Sequence, residues 1–223
     1  PATLLLTLTA FVISLTCGIA LGVAAAARVG KVSDSLLTTL ALLFYATPLY
    51  WLALMAVLVF SVWLGWLPGF GYETVGSDFS GLARALDILK HLILPALTLG
   101  LFFMAVYTRM TRTSMLSVSQ QDFVKTARAK GLAPGIIQRR HILRNALLPI
   151  ITLAGLQAGQ MVGGAVLTET VFAWPGIGRL MYEALMQRDY NLLLGIFFFC
   201  ALLVILFNML TDVIYRLADP RIK

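Results

Sequence analysis

The sequence predicts an all-α polytopic membrane protein. Three observations carry that prediction: long apolar runs, few charges to interrupt them, and basic residues sorted to alternate loops. Of the 223 residues, 60% are hydrophobic and only 12% charged, and the mean hydropathy is +0.89. That balance excludes an ordinary water-soluble domain. A bilayer-spanning helix takes roughly 20 mainly apolar residues, and such runs fall at 4–27, 36–60, 91–108, 146–167 and 192–212. The runs are too long for barrel strands, and hydrocarbon offers backbone groups no water partner, so spanning helices are the expectation.

In the first run Ser14, Gly18, Gly22 and Ala26 recur at four-residue spacing, which puts them on one helix face where small side chains allow another span to come close. The run is too long for a signal peptide and lacks its flanks. Because Pro1 stands immediately ahead of it, an earlier segment carrying a further span is expected. The second run, 36–60, leads into an outer loop at 61–90. There Trp63, Trp66 and Tyr72 are the amphipathic rings that gather at a membrane interface, and Leu67-Pro68-Gly69 marks a turn. The third run is the weakest, since Pro95 interrupts it and its core is short; residues 86–90 extend it outward.

The fourth run repeats the small-residue spacing with Gly155, Gly159 and Gly163, again a packing face. It also carries Gln157 and Gln160, which are costly toward lipid and therefore face protein or a wet pathway. Three residues apart, they lie about 60° apart around the helix. Trp174-Pro175-Gly176-Ile177-Gly178 then reads as a tight turn feeding a short helix along the outer surface. In the last run Asn208 and Asp212 sit four apart on one polar face. Helix capping, contact with a partner and a place on the pathway are all open to them.

The formal net charge is +7, which in a soluble protein would suggest nucleic acid. Its distribution points elsewhere. With 28–34 placed in the cytoplasm, 13 of the 17 Lys and Arg fall inside and four, Arg84, Lys90, Arg179 and Arg188, outside. This positive-inside bias predicts the visible amino end outside and the carboxyl end in the cytoplasm, with membrane lipid rather than nucleic acid as the surroundings. Cys17 and Cys200 lie in different apolar runs and read as small packing residues. His91 and His141 have no clustered Cys or carboxylate partners, so no metal site is expected. No GxxxxGK[ST] segment is present, so any ATP hydrolysis falls to another polypeptide.

The inner loop, 113–148, holds the strongest functional signal. Ser119 and Asp122 are spaced as a capping box, with Asp where Glu is usual. A short helix over 120–130 would carry Phe123, Val124 and Ala127 near one side, and Gly131 would end it. Pro134 then opens a second helix with Arg139, Arg140 and Arg144, running toward Pro149 and the next span. These features alone fit either a basic membrane-surface loop or a short helix that passes a rigid displacement from a docked partner to the spans.

The stretch Asp122-Phe-Val-Lys-Thr-Ala-Arg-Ala-Lys-Gly131-Leu132, followed by Arg140-His-Ile-Leu-Arg-Asn-Ala-Leu-Leu-Pro149, resembles the cytoplasmic coupling loop of permease subunits in bacterial ABC importers for dipeptides and oligopeptides. The broad importer motif is Glu-Ala-Ala, three residues, Gly, then a distant Ile-x-Leu-Pro. Lys125, Thr126 and Ala127 take the Glu-Ala-Ala places and Gly131 the glycine, while His141, Leu143 and Arg144 fall near the Ile, Leu and Pro places, so the motif is partly kept. Leu167-Thr-Glu-Thr-Val-Phe-Ala-Trp-Pro-Gly-Ile-Gly178, Arg188-Asp189-Tyr190 and the closing Asp219-Pro-Arg-Ile-Lys223 are similar to the first, B-type, permease of such systems.

The resemblance implies that residues 1–223 form a type I ABC importer transmembrane domain showing five of six spans, in a bacterial inner membrane. It implies a second permease, two ABC ATPases that carry the ATP and Mg, and an extracytoplasmic binding protein. It further implies that Asp122, Phe123, Lys125, Thr126, Ala127, Arg128, Lys130 and Gly131 couple to an ATPase, with Phe123 and Ala127 on the docking side. Gln157, Gln160 and Asn208 are the pathway candidates, and Gly18, Gly22, Gly155, Gly159 and Gly163 the packing ones. Nickel-chelate and glutathione importers share this permease type. A secondary transporter is the alternative class, although no inverted repeat is evident.

Overall fold

The computed structural model describes residues 1–218, without the side chains of residues 160, 162–164, 207 and 210–218. The side chains of Gln160 and Asp212, the packing of Gly163 and the closing stretch 219–223 lie outside the described residues. Among the described residues every regular element is helical. Helix α1, Ala2–Ala26, buries Thr3, Leu6, Thr7, Ala10, Ser14, Gly18, Gly22 and Ala25, a stripe at the three- and four-residue spacing that a helix brings to one face. The polar members of the stripe are quenched locally: Thr7 Oγ1 donates to Thr3 O at 2.8 Å and Ser14 Oγ to Phe11 O at 2.9 Å.

That stripe lies against α4, Gly81–Ser119, in the most extensive helix pairing of the fold. Backbones touch along the seam. A Cβ on Gly18 would stand 2.5 Å from Tyr107 Cβ, one on Gly22 2.5 Å from Thr111 Cβ, and one on Gly100 3.1 Å from Ala10 O. Small residues are required because lipid supplies no hydrophobic drive between helices, so the contact must come from close packing.

The second apolar run is broken rather than straight. Helix α2, Val32–Ala46, ends at Thr47, whose extended ψ of 130° is the conformation imposed by the following Pro48. Helix α3, Leu49–Ala56, continues through a π-helical turn, Val57–Trp63, and the two parts meet at 101°.

Helix α4 extends far beyond the expected 91–108. Its 39 residues give a rod of about 58 Å, nearly twice the hydrocarbon thickness of roughly 30 Å. Flanking residues such as Leu82, Ala83, Arg84 and Leu86 are good helix formers, and the helix continues through Pro95.

Beyond α4 comes the short α5, Asp122–Ala129. A single turn, α6 at Pro134–Ile136, then runs through a π-helical stretch, Ile137–Leu143, into α7, Arg144–Val171. Helix α8, Ile177–Gln187, and α9, Tyr190–Ala218, complete the fold.

Among the described residues three helices are long and apolar enough to cross a bilayer, Ala2–Ala26, Gly81–Ser119 and Pro134–Gly159, and the bent α2–α3 pair makes a fourth. The expectation of five spans is thereby corrected to three or four. Pro48 splits the second run, and the described apolar part of α9, Tyr190–Leu206, is short. Two buried clusters matter for function. One, at the amino end of α1, joins Leu6, Ala10, Leu99, Met161 and Trp174; the other, by its carboxyl end, joins Met115, Val118, Val124, Ala127, Ile137, Ile142 and Ala146.

Candidate functional site

The helical hairpin that holds the expected coupling residues begins where α4 stops at Ser119. Ser119 Oγ donates back to Leu116 O at 2.7 Å, and Gln121, without a side-chain bond, is the N-cap of α5. The expected Ser119–Asp122 capping box is therefore absent, because the serine satisfies the end of α4 instead of the start of α5. Asp122 still suits the first turn, where a negative charge complements the helix dipole. It pairs with Lys125 at 2.8 Å, and Thr126 Oγ1 donates to its carbonyl at 3.0 Å.

The far end of α5 closes in a Schellman motif. Gly131 N donates to Arg128 O at 2.9 Å and Leu132 N to Ala127 O at 3.4 Å, the paired bonds that need a left-handed residue after the helix. Gly131 supplies it with φ of +73°. Pro134 then stands at the first helical position of the return helix, where its missing N–H costs nothing.

Burial divides α5 into two faces. Val124 is fully buried and Ala127 is 5% exposed, both against Met115 and Val118 of α4 and Ile137 and Ile142 of the return helix. Asp122, Lys125, Thr126, Arg128, Ala129 and Lys130 face outward, and Phe123 is 39% exposed at the edge of the buried face. Phe123 and Ala127 are therefore not equivalent. Ala127 belongs to the internal packing that holds α5 on α4 and the return helix, and Phe123 is left exposed at its rim.

A second polar link sits next to this hairpin. Arg112 on α4 donates from both Nε and Nη2 to Asp34 of α2, each at 2.7 Å, and Gly30 N donates to the same carboxylate at 3.3 Å. The bidentate geometry is the strongest form of such a pair, and Asp34 is only 4% exposed. It ties the α1–α2 turn to α4. Sequence reading counted Arg112 only as an inside charge; the signal it passed over was an acid directly preceding an apolar run.

At the opposite end of the helices, Glu169 organises the turn between α7 and α8. It is fully buried. Its Oε2 accepts from Gly178 N at 2.7 Å and Arg179 N at 3.1 Å, the free amides of the first turn of α8. A Cβ at Gly176 would fall inside the Glu169 carboxyl group. Burial raises the pKa of this carboxyl, opposed by its hydrogen bonds, including those from the Arg179 and Gly178 amides. Trp174, also fully buried, donates from Nε1 to Ala2 O at 2.9 Å, while Ile177 N donates to Thr3 Oγ1 at 2.8 Å. Tyr72 packs edge-on against Trp174 at 4.8 Å between ring centroids, so it is part of this cap, whereas Trp63 and Trp66 remain 71% and 69% exposed.

The pathway candidates separate. Gln157 is buried at 7% exposure, and its Oε1 has no hydrogen-bond partner; Asn208 is exposed. Gly159 faces α9, where a Cβ would meet Val204 Cγ1 at 3.3 Å and Asn208 Oδ1 at 3.8 Å. Gly155 is buried as well.

The architecture, a broken span beside a long central helix that ends in a short helical hairpin, has counterparts among known proteins. Residues 18–223 match the family of binding-protein-dependent transport system inner membrane components. The chain belongs to that family. It is 44% identical to a di/tripeptide transport system permease protein, DppB, of Pseudomonas aeruginosa (strain UCBPP-PA14), over 100% of this chain and 70% of the relative. It is 40% identical to the oligopeptide transport system permease protein AppB of Bacillus subtilis (strain 168), over 100% of this chain and 69% of the relative.

Among solved structures, the inward-facing MetNI methionine ABC transporter aligns with a TM-score of 0.76 at 19% identity, covering 98% of this chain and 93% of the other. An amino acid ABC transporter aligns with a TM-score of 0.64 at 14% identity, covering 99% and 90%. The fold is thus that of a type I importer transmembrane domain. The chain is a B-type permease subunit, a non-catalytic, multi-pass inner-membrane component. Family membership also sets aside the secondary-transporter alternative. Among the described residues no group of three or more metal-ligating side chains is present.

Proposed function

We propose that this permease forms half of the translocation pathway of an ATP-driven importer for dipeptides or oligopeptides. The observation that carries this reading is the 44% identity, over the whole of this chain, to a permease named for di- and tripeptides. The partners are a second permease, two ABC ATPases holding ATP and Mg, and an extracytoplasmic binding protein that delivers substrate. The orientation follows the charge sorting, with Pro1 outside and the carboxyl end in the cytoplasm.

Helix α5 is the proposed ATPase contact. Its outward face offers Phe123 as an apolar plug and Lys125, Arg128 and Lys130 as orienting charges, with Asp122 and Thr126 completing the first turn. Gly131 sets the turn that holds this face at a fixed angle. Because Val124 and Ala127 share one cluster with α4 and the return helix, a displacement of α5 moves both long helices. Gln157, Gln160 and Asn208 remain the candidates for contact with solute. A peptide of variable sequence is recognised through its backbone and termini, so selectivity rests mainly with the binding protein.

The test is to co-express the chain with its neighbouring genes' products, reconstitute the purified assembly, and follow ATP-dependent uptake of labelled di- and oligopeptides beside a nickel chelate and glutathione. Peptide uptake coupled to hydrolysis by a co-purifying ATPase is expected. Uptake of the chelate or glutathione alone, or peptide entry without hydrolysis, would overturn the reading.

A further inference from the structure

Where the first span meets the return helix, the molecule leaves a cavity of about 680 Å³ lined by Val23, Ala133, Gly135, Ile136, Gln138, Arg139, Arg140 and Leu143. Its composition is divided. Val23 lies near the cytoplasmic end of the α1 span, and with Ile136 and Leu143 it provides an apolar wall; Arg139 and Arg140 provide two exposed guanidinium groups. Neither arginine has an acidic partner among the described residues, whose ion pairs involve Arg84, His91, Arg112, Lys125 and Arg179. Gly135 borders the cavity with open space around it.

We propose that this cavity binds the headgroup of an anionic phospholipid from the cytoplasmic leaflet, its phosphate against Arg139 and Arg140 and its glycerol and upper acyl chains against Val23, Ile136 and Leu143. Two unpaired guanidinium groups beside the end of a spanning helix match a phosphodiester in charge and in donor geometry. The apolar wall matches the part of a lipid immediately below its phosphate. A soluble ATPase is the other acidic surface that could reach these arginines, but no residue of α5 lines the cavity and Val23 belongs to a membrane-spanning helix. Lipid is the occupant those neighbours favour. Bound there, it would wedge the return helix against α1 and stiffen the hairpin from the membrane side.

The experiment compares the wild-type assembly with an Arg139→Gln/Arg140→Gln variant and with Gly135→Leu, which leaves the charge unchanged and narrows the cavity mouth. Each is purified in nanodiscs containing phosphatidylcholine with a minority of phosphatidylglycerol, and retained lipid is measured by native mass spectrometry after release. A basic residue near an anionic surface contributes roughly a fivefold preference, so the double variant should lose about 30-fold in phosphatidylglycerol retention relative to phosphatidylcholine. Gly135→Leu should lose retention in the same direction. A molar excess of inorganic phosphate should not displace the lipid, since it lacks the apolar part.

Equal retention by the wild type and both variants would overturn the proposal. So would displacement by inorganic phosphate, which would make this a free-anion site. Unchanged lipid retention with loss of the co-purifying soluble subunits would assign the arginines to a protein contact instead. The readout is independent of transport, so failure here leaves the peptide reading intact.

Discussion

Gly22→Ala tests the packing of the α1–α4 seam against that of the α7–α9 contact, for which Gly159→Ala is the control. A Cβ at Gly22 would stand 2.5 Å from Thr111 Cβ and 2.7 Å from Thr108 O, whereas carbon contacts are comfortable at about 3.5–4.0 Å. The seam would have to open by about 1 Å along a backbone-to-backbone contact. Overpacking of this kind costs roughly 1–3 kcal/mol, offset by about 1 kcal/mol of helix propensity gained by alanine over glycine. At Gly159 the nearest obstacle is Val204 Cγ1 at 3.3 Å, a side-chain atom, so the propensity gain there should roughly cancel the packing cost.

Gly22→Ala should therefore be less stable than Gly159→Ala by up to about 2 kcal/mol. Thermal unfolding of the two variants in identical nanodiscs, followed by the monodisperse fraction on size exclusion, measures the difference. Gly18→Ala, against Tyr107 Cβ at 2.5 Å and Met104 O at 2.9 Å, should behave like Gly22→Ala. If Gly22→Ala and Gly159→Ala unfold at the same temperature, the seam accommodates a methyl group and the argument from backbone contact is wrong.

Arg112→Gln should destabilise the assembly more than the double variant Arg112→Gln/Asp34→Asn, because the single change strands a buried carboxylate while the double replaces the pair by amides; equal thermal stabilities would refute the coupling. Glu169→Ala should cost roughly 1–3 kcal/mol by leaving the Gly178 and Arg179 amides unsatisfied, read as loss of hydrogen-exchange protection in α8. Since burial raises the folded pKa of Glu169, its contribution is fully present below the ordinary carboxyl value and declines as pH rises through the raised one; Glu169→Gln should flatten that slope of stability against pH. Gly131→Val puts a β-branched residue at φ +73° and should cost roughly 1–3 kcal/mol locally, with loss of peptide-stimulated hydrolysis in the reconstituted assembly; unchanged hydrolysis would detach the hairpin turn from coupling.

The helical hairpin, its glycine stop and its proline restart were legible because each rests on a backbone rule local to a few residues. The face of α5 was not. Phe123 and Ala127 lie about 40° apart around a helix, and only the position of Met115, Val118, Ile137 and Ile142 decides that Ala127 falls inside and Phe123 at the rim. The α1 stripe was readable from its small residues, but its partner was not: Tyr107, Thr108 and Thr111 carry no small-residue signature, and they pair with Gly18 and Gly22 only once α4 is seen as a single rod through Pro95. The break at Pro48 was present in the sequence as Thr47-Pro48 inside an otherwise continuous apolar run. Hydropathy sums over such a break, while the missing N–H and the restricted residue before proline bend the helix there. Glu169 and Trp174 hid for a different reason, since their burial depends on contacts with Ala2, Thr3 and Tyr72, far away in sequence.

The placement of these links determines how a push on α5 can travel. Val124 and Ala127 are locked to α4 through Met115 and Val118 and to the return helix through Ile137 and Ile142, so the hairpin cannot slide relative to either helix without opening a buried cluster. Helix α4 is in turn fixed to α1 along a seam that admits no Cβ at Gly18 or Gly22, and the Arg112–Asp34 pair draws the start of α2 onto the same rod. At the far side Trp174 and Ile177 bond to the first residues of α1, closing the path from α4 through α1 to the outer cap. The hydrogen-bonded joints are directional and the packed ones short-range. The 101° corner between α2 and α3 lacks a backbone hydrogen bond at Pro48 N, which has no hydrogen to donate. Packed interfaces respond to displacement as rigid units and not as springs. Helix α3 is held in the same way, since Ala53 and, just beyond it, Val57 share a buried cluster with Leu94 of α4 and with Phe172, so packed contacts join α1, α3, α4, α7 and the cap on both sides of the corner at Pro48.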